Sequence, residues 1–569
     1  MQKMGSPNWK KLKNLLPYAI LFLITLFFVR HFFTNALLDG DDAPHHSGRV
    51  AAYYLALKQG QFPVRWAHNF DNGLGSPLFV LMYHLPYATA AFLYAALPIT
   101  IQFSINLSYI LSTLLGVLFM YSLFRSHTYS TLASGVGALT YLFLPYTLIN
   151  LFAREAFGEM FFFGFLPLTL FIIKKQSEEE KLSHFSVLLP PILSLFLLSH
   201  PISLFFAVPL ITIYCYVLYR ESLHWKRSVV LCSIGVATSL WFWIPAYVER
   251  TFTTFISNNH FDEYLTHFPN PISYFWTANF SSIQYSAVLP HVTPGLTIYV
   301  VMVFAGILFF LNKKISRIFI VFFALFLLSI LMQMRISTPL WEMISLLKNT
   351  QFPWRFLWIS VIATSVLVAE LVHLFRTHPH TQRIFLILVC ASLLLSIRNF
   401  GNPRSFTKVV DNQWLLFGGT ANAFDEHRPI WLNAASSREE HENVVLLSDS
   451  TERNEITPLD SKHIQTWDST VHRYTVVLDK PTLIMEHTAY FPGWKVLVDG
   501  VETPINYTYE HSPGKLMFTV PAGTHAIESR FTEDTWDRIL GDSLAIFGLM
   551  IYAVFVLVYI KTMIRTAKA

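Results

Sequence analysis

Three carboxylates stand together at Asp39-Gly40-Asp41-Asp42, directly after the first long apolar run of the chain. Two readings of them are open. One is a solvated helix stop, with Asp42 capping the helix that begins near Pro44. The other is a carboxylate cluster for general-base work or for a divalent cation. An Asp at mid-bilayer costs ~2.5–3.5 kcal/mol, so the cluster belongs at the membrane surface. His45, His46 and Arg49 follow; His46 and Arg49, spaced i, i+3, share a helix face. Neighbouring histidines diverge, and a zinc site wants three or four converging ligands, so zinc is not expected. Arg154-Glu155-Ala-Phe-Gly-Glu159 falls between two apolar runs. It reads either as an interfacial anchor with a local ion pair, or as an Arg that holds a phosphate or orders a catalytic Asp. Gln351-Phe-Pro-Trp-Arg355 opens another apolar run with a cation. Trp there is ordinary interfacial anchoring, but Arg355 suggests an anionic partner. Ser199-His200-Pro201 is a tight turn in which His200 is a turn residue or a helper.

Long apolar runs must position these groups. The 569 residues are 53% hydrophobic and only 14% charged, against about 25% charged in soluble domains. Runs of ~18 or more apolar residues read as membrane helices. They are expected at 15–34, 102–124, 130–150, 156–173, 185–199, 200–219, 228–247, 294–311, 315–333, 355–375, 382–398 and 541–560. The stretch 77–98 carries Pro77, Pro86 and Pro98 and is expected to lie on the membrane. Cys215, Cys232 and Cys390 all fall in apolar runs and read as buried hydrophobes. Net charge is only +5, so nucleic acid is not an expected partner.

Basic residues set the expected sidedness. Arg125, Lys174–Lys175, Arg220, Lys226–Arg227, Lys313–Lys314, Arg317, Arg376 and Arg383 sit in short loops, and both termini are basic. All fall on the cytoplasmic side if 77–98 does not cross. The expected fold is then a polytopic α-helical membrane protein of about 12 spans in the plasma membrane, with both termini cytoplasmic. The segments 35–101, 248–293, 334–354 and 399–540, and the turn at Arg154, face outward.

The segment 399–540 holds 20 of the 36 acidic residues and 12 of the 41 basic ones, a balance easily translocated. Period-two runs at Tyr474–Leu478, Thr482–Glu486, Lys495–Val498, Lys515–Val520 and His525–Phe531 alternate with Pro-Gly, Asp-Gly and Ala-Gly turns. A disulfide-free antiparallel β-sandwich is expected there. The expected organisation is 1–398 as membrane domain, 399–540 as extracytoplasmic β domain, and 541–569 as a last helix with a basic tail.

An acidic residue after the first span, two surface helices in the first outer loop, many spans and an outer C-terminal domain resemble the GT-C superfamily of membrane glycosyltransferases. More narrowly, Asp42-Ala-Pro-His-His46, Gly60-Gln-Phe-Pro-Val-Arg65-Trp66, Asn72-Gly-Leu-Gly-Ser-Pro77-Leu-Phe79, Arg154–Glu159 and Gln351–Arg355 resemble a bacterial membrane family labelled as related to pyruvoyl-tetrahydropterin synthase. No His/Cys/Glu set for pterin chemistry is present. Tyr490-Phe-Pro-Gly-Trp494 with Val498-Asp-Gly500 is similar to outer domains of GT-C-like proteins that decorate envelope polymers.

The GT-C resemblance implies an inverting transferase that takes a sugar from a polyprenyl-phosphate donor in the membrane lipid. The acceptor is an envelope polymer or glycolipid. Asp42, with Asp39 and Asp41 behind it, is the implied base. Arg154, Arg355, Arg49 and Arg65 are the implied donor-phosphate ligands, supported by His46, Glu155, Glu159 and His200. No cofactor is firmly implied; a divalent cation is compatible with the acids. Tyr274-Phe275-Trp276 offers rings for lipid or sugar. The rival readings are a transporter or flippase of lipid-linked intermediates and a non-catalytic envelope assembly protein. A transporter should carry charges deep in its spans and often a repeated half. Here charges gather at span ends, and no repeat is found.

Overall fold

The computed structural model describes residues 9–219, 225–255, 264–269, 294–310, 315–419, 427–432, 443–447, 456–508 and 513–568. Tyr274–Trp276, Arg220 and Lys313–Lys314 lie outside them.

Among the described residues seven helices are long and apolar enough to cross a membrane: Lys13–Phe32, Ile101–Ser126, Phe157–Glu178, Pro201–Tyr219, Pro353–Thr377, Pro379–Phe400 and Trp536–Arg565. The protein is a multi-pass membrane protein. Three further expected spans are bent pairs, at 48°, 59° and 92°. The first bend has a plain cause. Pro145 supplies no N–H and drives Leu144 into an extended conformation, ψ 144°, so the helix Thr131–Phe143 stops and Pro145–Phe152 starts anew. The expected spans 185–199 and 294–311 correspond to the helices His184–Leu197 and Thr297–Phe310, of 14 residues each. At 1.5 Å per residue each reaches about 21 Å, short of the ~30 Å hydrocarbon core. The stretch 77–98 forms two short helices, Leu78–Leu81 and His84–Ala96; the longer has 13 residues and cannot span by itself.

Burial separates the centre of the bundle from its edge. In Phe157–Glu178 83% of the apolar window is buried, and in Pro353–Thr377 89%, against 11% in Trp536–Arg565. The central helix Phe157–Glu178 packs closely on Ile101–Ser126. A Cβ on Gly164 would lie 2.7 Å from the Ser112 carbonyl oxygen, and one on Gly116 3.1 Å from that of Phe163. Small residues let the two backbones meet, the usual device between membrane helices.

The two ends of the bundle differ in charge. At one end Lys174 and Lys175 pair with Glu178, and Arg227 Nη1 donates to the Glu180 carbonyl. Glu159 lies some four turns along the same helix, at the other end, beside Arg154.

The β region comprises two antiparallel sheets. One orders Lys515–Val520, Thr482–Ala489, Val444–Leu447 and Ile456–Pro458. The other orders Ile464–Trp467, Val471–Leu478, Gly523–Phe531, Trp494–Val498 and Val501–Thr503. Val444, Ile484 and Phe518 of the first share one apolar core with Tyr474, Val496 and Ile527 of the second. These sheets dock on the membrane helices. Ala489 N–H donates to the Leu74 carbonyl at 2.7 Å, and Trp66 packs against Trp494 and Phe531. Arg538 Nε donates to Glu249 Oε1 at 2.7 Å, with both side chains fully buried.

The first residues of the 399–540 segment do not join those sheets. Strand Phe406–Thr407 pairs antiparallel with Leu37–Leu38, and Asp411 Oδ1 accepts from the Ile101 N–H at 2.9 Å. Trp414 and Phe417 enter the core of the membrane domain. The apolar run Trp414-Leu-Leu-Phe417 is the sequence trace of that docking.

Candidate functional site

Backbone hydrogen bonds hold the acidic turn from both sides. Asp39 N–H donates to the Ser405 carbonyl at 3.1 Å, Asp41 N–H to Ala153 at 3.0 Å and Asp42 N–H to Arg154 at 2.9 Å. The turn is therefore stitched to the 153–154 corner, some 110 residues along the chain. Gly40 is needed for this approach: a Cβ there would meet Glu155 Oε1 at 2.6 Å.

The three acids have different surroundings. Asp39 Oδ2 accepts from Ser405 Oγ at 3.0 Å. Asp41 pairs with Arg404 at 3.2 Å; burial raises its carboxyl above the usual range, and Arg404 opposes the shift. Asp42 is half-buried at the N-cap of the helix Ala43–Lys58 and makes no side-chain capping bond. Among the described residues no ion pair engages Asp42.

Arg154 and Arg355 meet over one indole. Arg154 lies 4.7 Å from the Trp354 ring centroid and Arg355 5.7 Å from it. Arg154 Nη1 donates to Asn150 Oδ1 at 2.6 Å and to Glu159 Oε1 at 2.9 Å. Glu159 Oε2 accepts from Tyr146 Oη at 2.7 Å and Asn150 Nδ2 at 3.0 Å, so this carboxylate is fully occupied. Arg355 Nη1 donates to the Thr350 carbonyl and to Gln351 Oε1, each at 2.9 Å. Its Nε is buried with no acceptor among the described residues. Of these two buried guanidiniums only Arg154 is ion-paired among the described residues, with Glu159, while Arg355 is bonded to neutral oxygens. Such an excess of buried positive charge suits an anion.

Around this pair sit the supporting groups. Glu155 has φ 51°, a left-handed conformation uncommon for a side-chain-bearing residue. Its carboxyl is buried beside Gly40, and burial first, then the Asp42 charge, hold its pKa well above the usual carboxylate range. His46 Nδ1 lies 3.0 Å from Tyr87 Oη, and the Phe157 N–H donates to His46 Nε2 at 3.4 Å. Burial, then Arg49, keep this imidazole well below its ordinary pKa, so it is neutral. Arg49 Nη1 donates to the same Tyr87 oxygen at 3.2 Å, so the i, i+3 pair does share a face. His200 Nδ1 accepts from the Ser203 N–H at 3.2 Å, and the ring packs on Tyr83. Burial pushes its pKa down to about 3.

The structure places Arg65 elsewhere. It is fully buried, with Nε 2.6 Å from Glu533 Oε2 and Nη2 3.7 Å from Asp542, between the β sheets and the last helix. Its partners Glu533 and Asp542 lie more than 460 residues along the chain, and the structure does not bring it together with the Arg154–Arg355 pair. Among the described residues no group of three or more His, Cys, Asp or Glu is placed to hold a metal ion. Sequence reasoning missed Asn150, Tyr146, Tyr87 and Arg404. All are polar residues at ends of apolar runs or in a loop, and only contact with the site distinguishes them.

No protein-family model matches the chain, and no curated protein matches it. Among solved structures, the arabinofuranosyltransferase AftD from mycobacteria aligns with a TM-score of 0.49 at 13% identity, over 70% of this chain and 28% of that one. ArnT from Cupriavidus metallidurans aligns with a TM-score of 0.36 at 14% identity, over 65% of this chain and 62% of that one in the apo state. With undecaprenyl phosphate bound it covers 66% and 63%, at the same TM-score and identity. The chain spans less than two thirds of each of these proteins.

Proposed function

We infer that this chain is a membrane glycosyltransferase of the GT-C type. It would move a sugar from a polyprenyl-phosphate donor to an extracytoplasmic acceptor with inversion. One observation carries the reading: an Asp42 carboxylate that no ion pair engages among the described residues is tied by its own backbone to Arg154, whose guanidinium shares the Trp354 ring with Arg355. A base and an anion site at one end of a membrane bundle are the two parts this transfer needs.

The roles follow from the chemistry. Asp42 takes the proton of an acceptor hydroxyl as its oxygen attacks the anomeric carbon. The bond from that carbon to the phosphate oxygen breaks on the opposite side. Polyprenyl phosphate leaves with the electron pair, its charge met by Arg154 and Arg355. Arg49 is hydrogen-bonded to Tyr87, and neutral His46 joins the Asp42 helix to the Arg154 corner. Arg65 has no part in this. The positive-inside bias supports placing the basic end in the cytoplasm. The site and the outer sheets then face out, with both termini inside.

The test is mass spectrometry of envelope glycans and polyprenyl-phosphate sugars in cells carrying Asp42→Asn. Loss of one glycan with build-up of its lipid-linked donor, at normal protein level, is the expected result. Unchanged glycans would favour an assembly factor. A donor trapped on the cytoplasmic face would favour a flippase.

A further inference from the structure

A cleft of about 390 Å³ opens at the edge of the five-stranded sheet, and none of Asp42, Arg154 and Arg355 lines it. Tyr490, Trp494, Lys495, Glu502, Thr503 and Tyr507 line it. Its volume falls within the ~300–1,000 Å³ of small-molecule sites. We propose that this cleft binds a neutral saccharide.

The aromatic side of the cleft is rigid. Tyr490 and Tyr507 stack with centroids 3.9 Å apart and planes 6° apart. Trp431 stands edge-on to both, at 5.1 and 5.4 Å. The Tyr490 N–H donates to the Gly514 carbonyl at 2.7 Å, and the Gly514 N–H donates to Tyr507 at 2.8 Å. Gly514 has φ 84°, and a Cβ there would lie 2.5 Å from Leu432 Cα. Only glycine permits this close bridge. The rings are thus held in place before any ligand arrives, which lowers the ordering cost of binding.

The polar side of the cleft selects against an anion. Lys495 Nζ lies 2.8 Å from Asp534 Oδ2 and 3.9 Å from Glu502 Oε2, so its charge is matched. The remaining inventory is mixed: ammonium donors, carboxylate acceptors and the Thr503 hydroxyl. Donors and acceptors side by side fit hydroxyl groups, which both give and take hydrogen bonds. An aromatic face fits the C–H face of a sugar ring, whose weakly positive hydrogens meet the negative face of the π system. A lipid tail would leave the charged groups unsolvated, and a phosphate would find the lysine already neutralised.

The cleft is fixed to the membrane domain. Trp431 stacks on Phe252 at 5.8 Å, next to the helix Leu240–Glu249. The role of the bound sugar, as part of the acceptor chain, rests on the transfer reading above. The binding itself does not.

The test applies detergent-solubilised full-length protein to a printed array of bacterial surface oligosaccharides. At least one neutral glycan should be retained by wild type and equally by Asp42→Asn. Tyr507→Ala, Lys495→Ala and Glu502→Gln should each weaken that binding tenfold or more, with unchanged thermal unfolding midpoints. The last two variants alter partly or fully exposed positions, so they remain informative if Tyr507→Ala misfolds. No retained glycan, binding only to acidic glycans, or retention by all three cleft variants overturns the proposal. Normal envelope glycans in Asp42→Asn cells, with binding lost in the cleft variants, would sink the transfer reading and leave the cleft standing.

Discussion

Replacing Gly40 by alanine adds one methyl group where the acidic turn meets Glu155. The new Cβ would lie 2.6 Å from Glu155 Oε1, 2.7 Å from its Cγ and 2.8 Å from its Cβ. Optimal separations between non-bonded heavy atoms are ~3.5–4.0 Å, so roughly 1 Å of overlap must be relieved. Glu155 is 1% exposed and has no open side to move into. Gly40 is not in the left-handed region, so the conflict is steric and not conformational. Overpacking of this kind costs about 1–3 kcal/mol. The partner substitution is Glu155→Gly, which deletes all three clashing atoms and also suits the φ of 51° at that position. In the Glu155→Gly background Gly40→Ala should cost nearly nothing. The coupling energy from the four proteins should therefore be about 1–3 kcal/mol. Unfolding by sodium dodecyl sulfate in a mild detergent supplies the four stabilities. A coupling below about 0.5 kcal/mol would mean that the turn and the 153–155 corner do not touch as described, and the site would lose its frame.

Three other perturbations are open to measurement. Glu155 has a folded-state pKa raised by burial and then by Asp42, so the fold binds its proton more tightly than the unfolded chain. Its contribution is complete below the ordinary carboxylate pKa of about 4.3 and is lost as pH rises through the folded value, by at most ~1.4 kcal/mol per pH unit. Glu155→Gln should gain on wild type as pH rises from 5 to 8; a constant difference would contradict the buried, protonated carboxyl. Glu249→Ala leaves the fully buried Arg538 without its carboxylate and should destabilise the docking of the outer sheets by about 3–5 kcal/mol. Limited proteolysis would show earlier release of that region, and an unchanged pattern would argue against the clamp. Arg154→Lys keeps the charge but loses the planar guanidinium that lies over the Trp354 ring and bonds Asn150 and Glu159. Transfer should fall by about 10²–10³-fold, with a near-normal rate as the refuting result.

Much of the architecture was legible from residue order. Apolar run length is read against bilayer thickness, and each of the twelve expected runs forms a helix, a bent pair or a shorter apolar helix. Prolines at 77, 86 and 98 broke the ambiguous stretch into short pieces. All five expected strands form, one with the expected ends and the others extended by one to three residues, because period two and Gly turns are local signals. The start of the outer segment was not legible as part of the membrane domain. Its strand Phe406–Thr407 has meaning only opposite Leu37–Leu38.

Within the site, the sequence by itself determined which residue types gather: acids after the first span, and arginines at the starts of two others. The GT-C resemblance put Asp42 ahead of Asp39 and Asp41, but residue types alone did not distinguish the three acids, nor Arg65 from Arg154 and Arg355. Tertiary structure separated them. Arg404, 363 positions away, takes Asp41, and Ser405 takes Asp39. Glu533, 468 positions away, takes Arg65. The physical reason is range. A helix or strand is set by neighbours within a few residues, whereas the state of a charged side chain is set by whichever opposite charge the fold brings within about 4 Å.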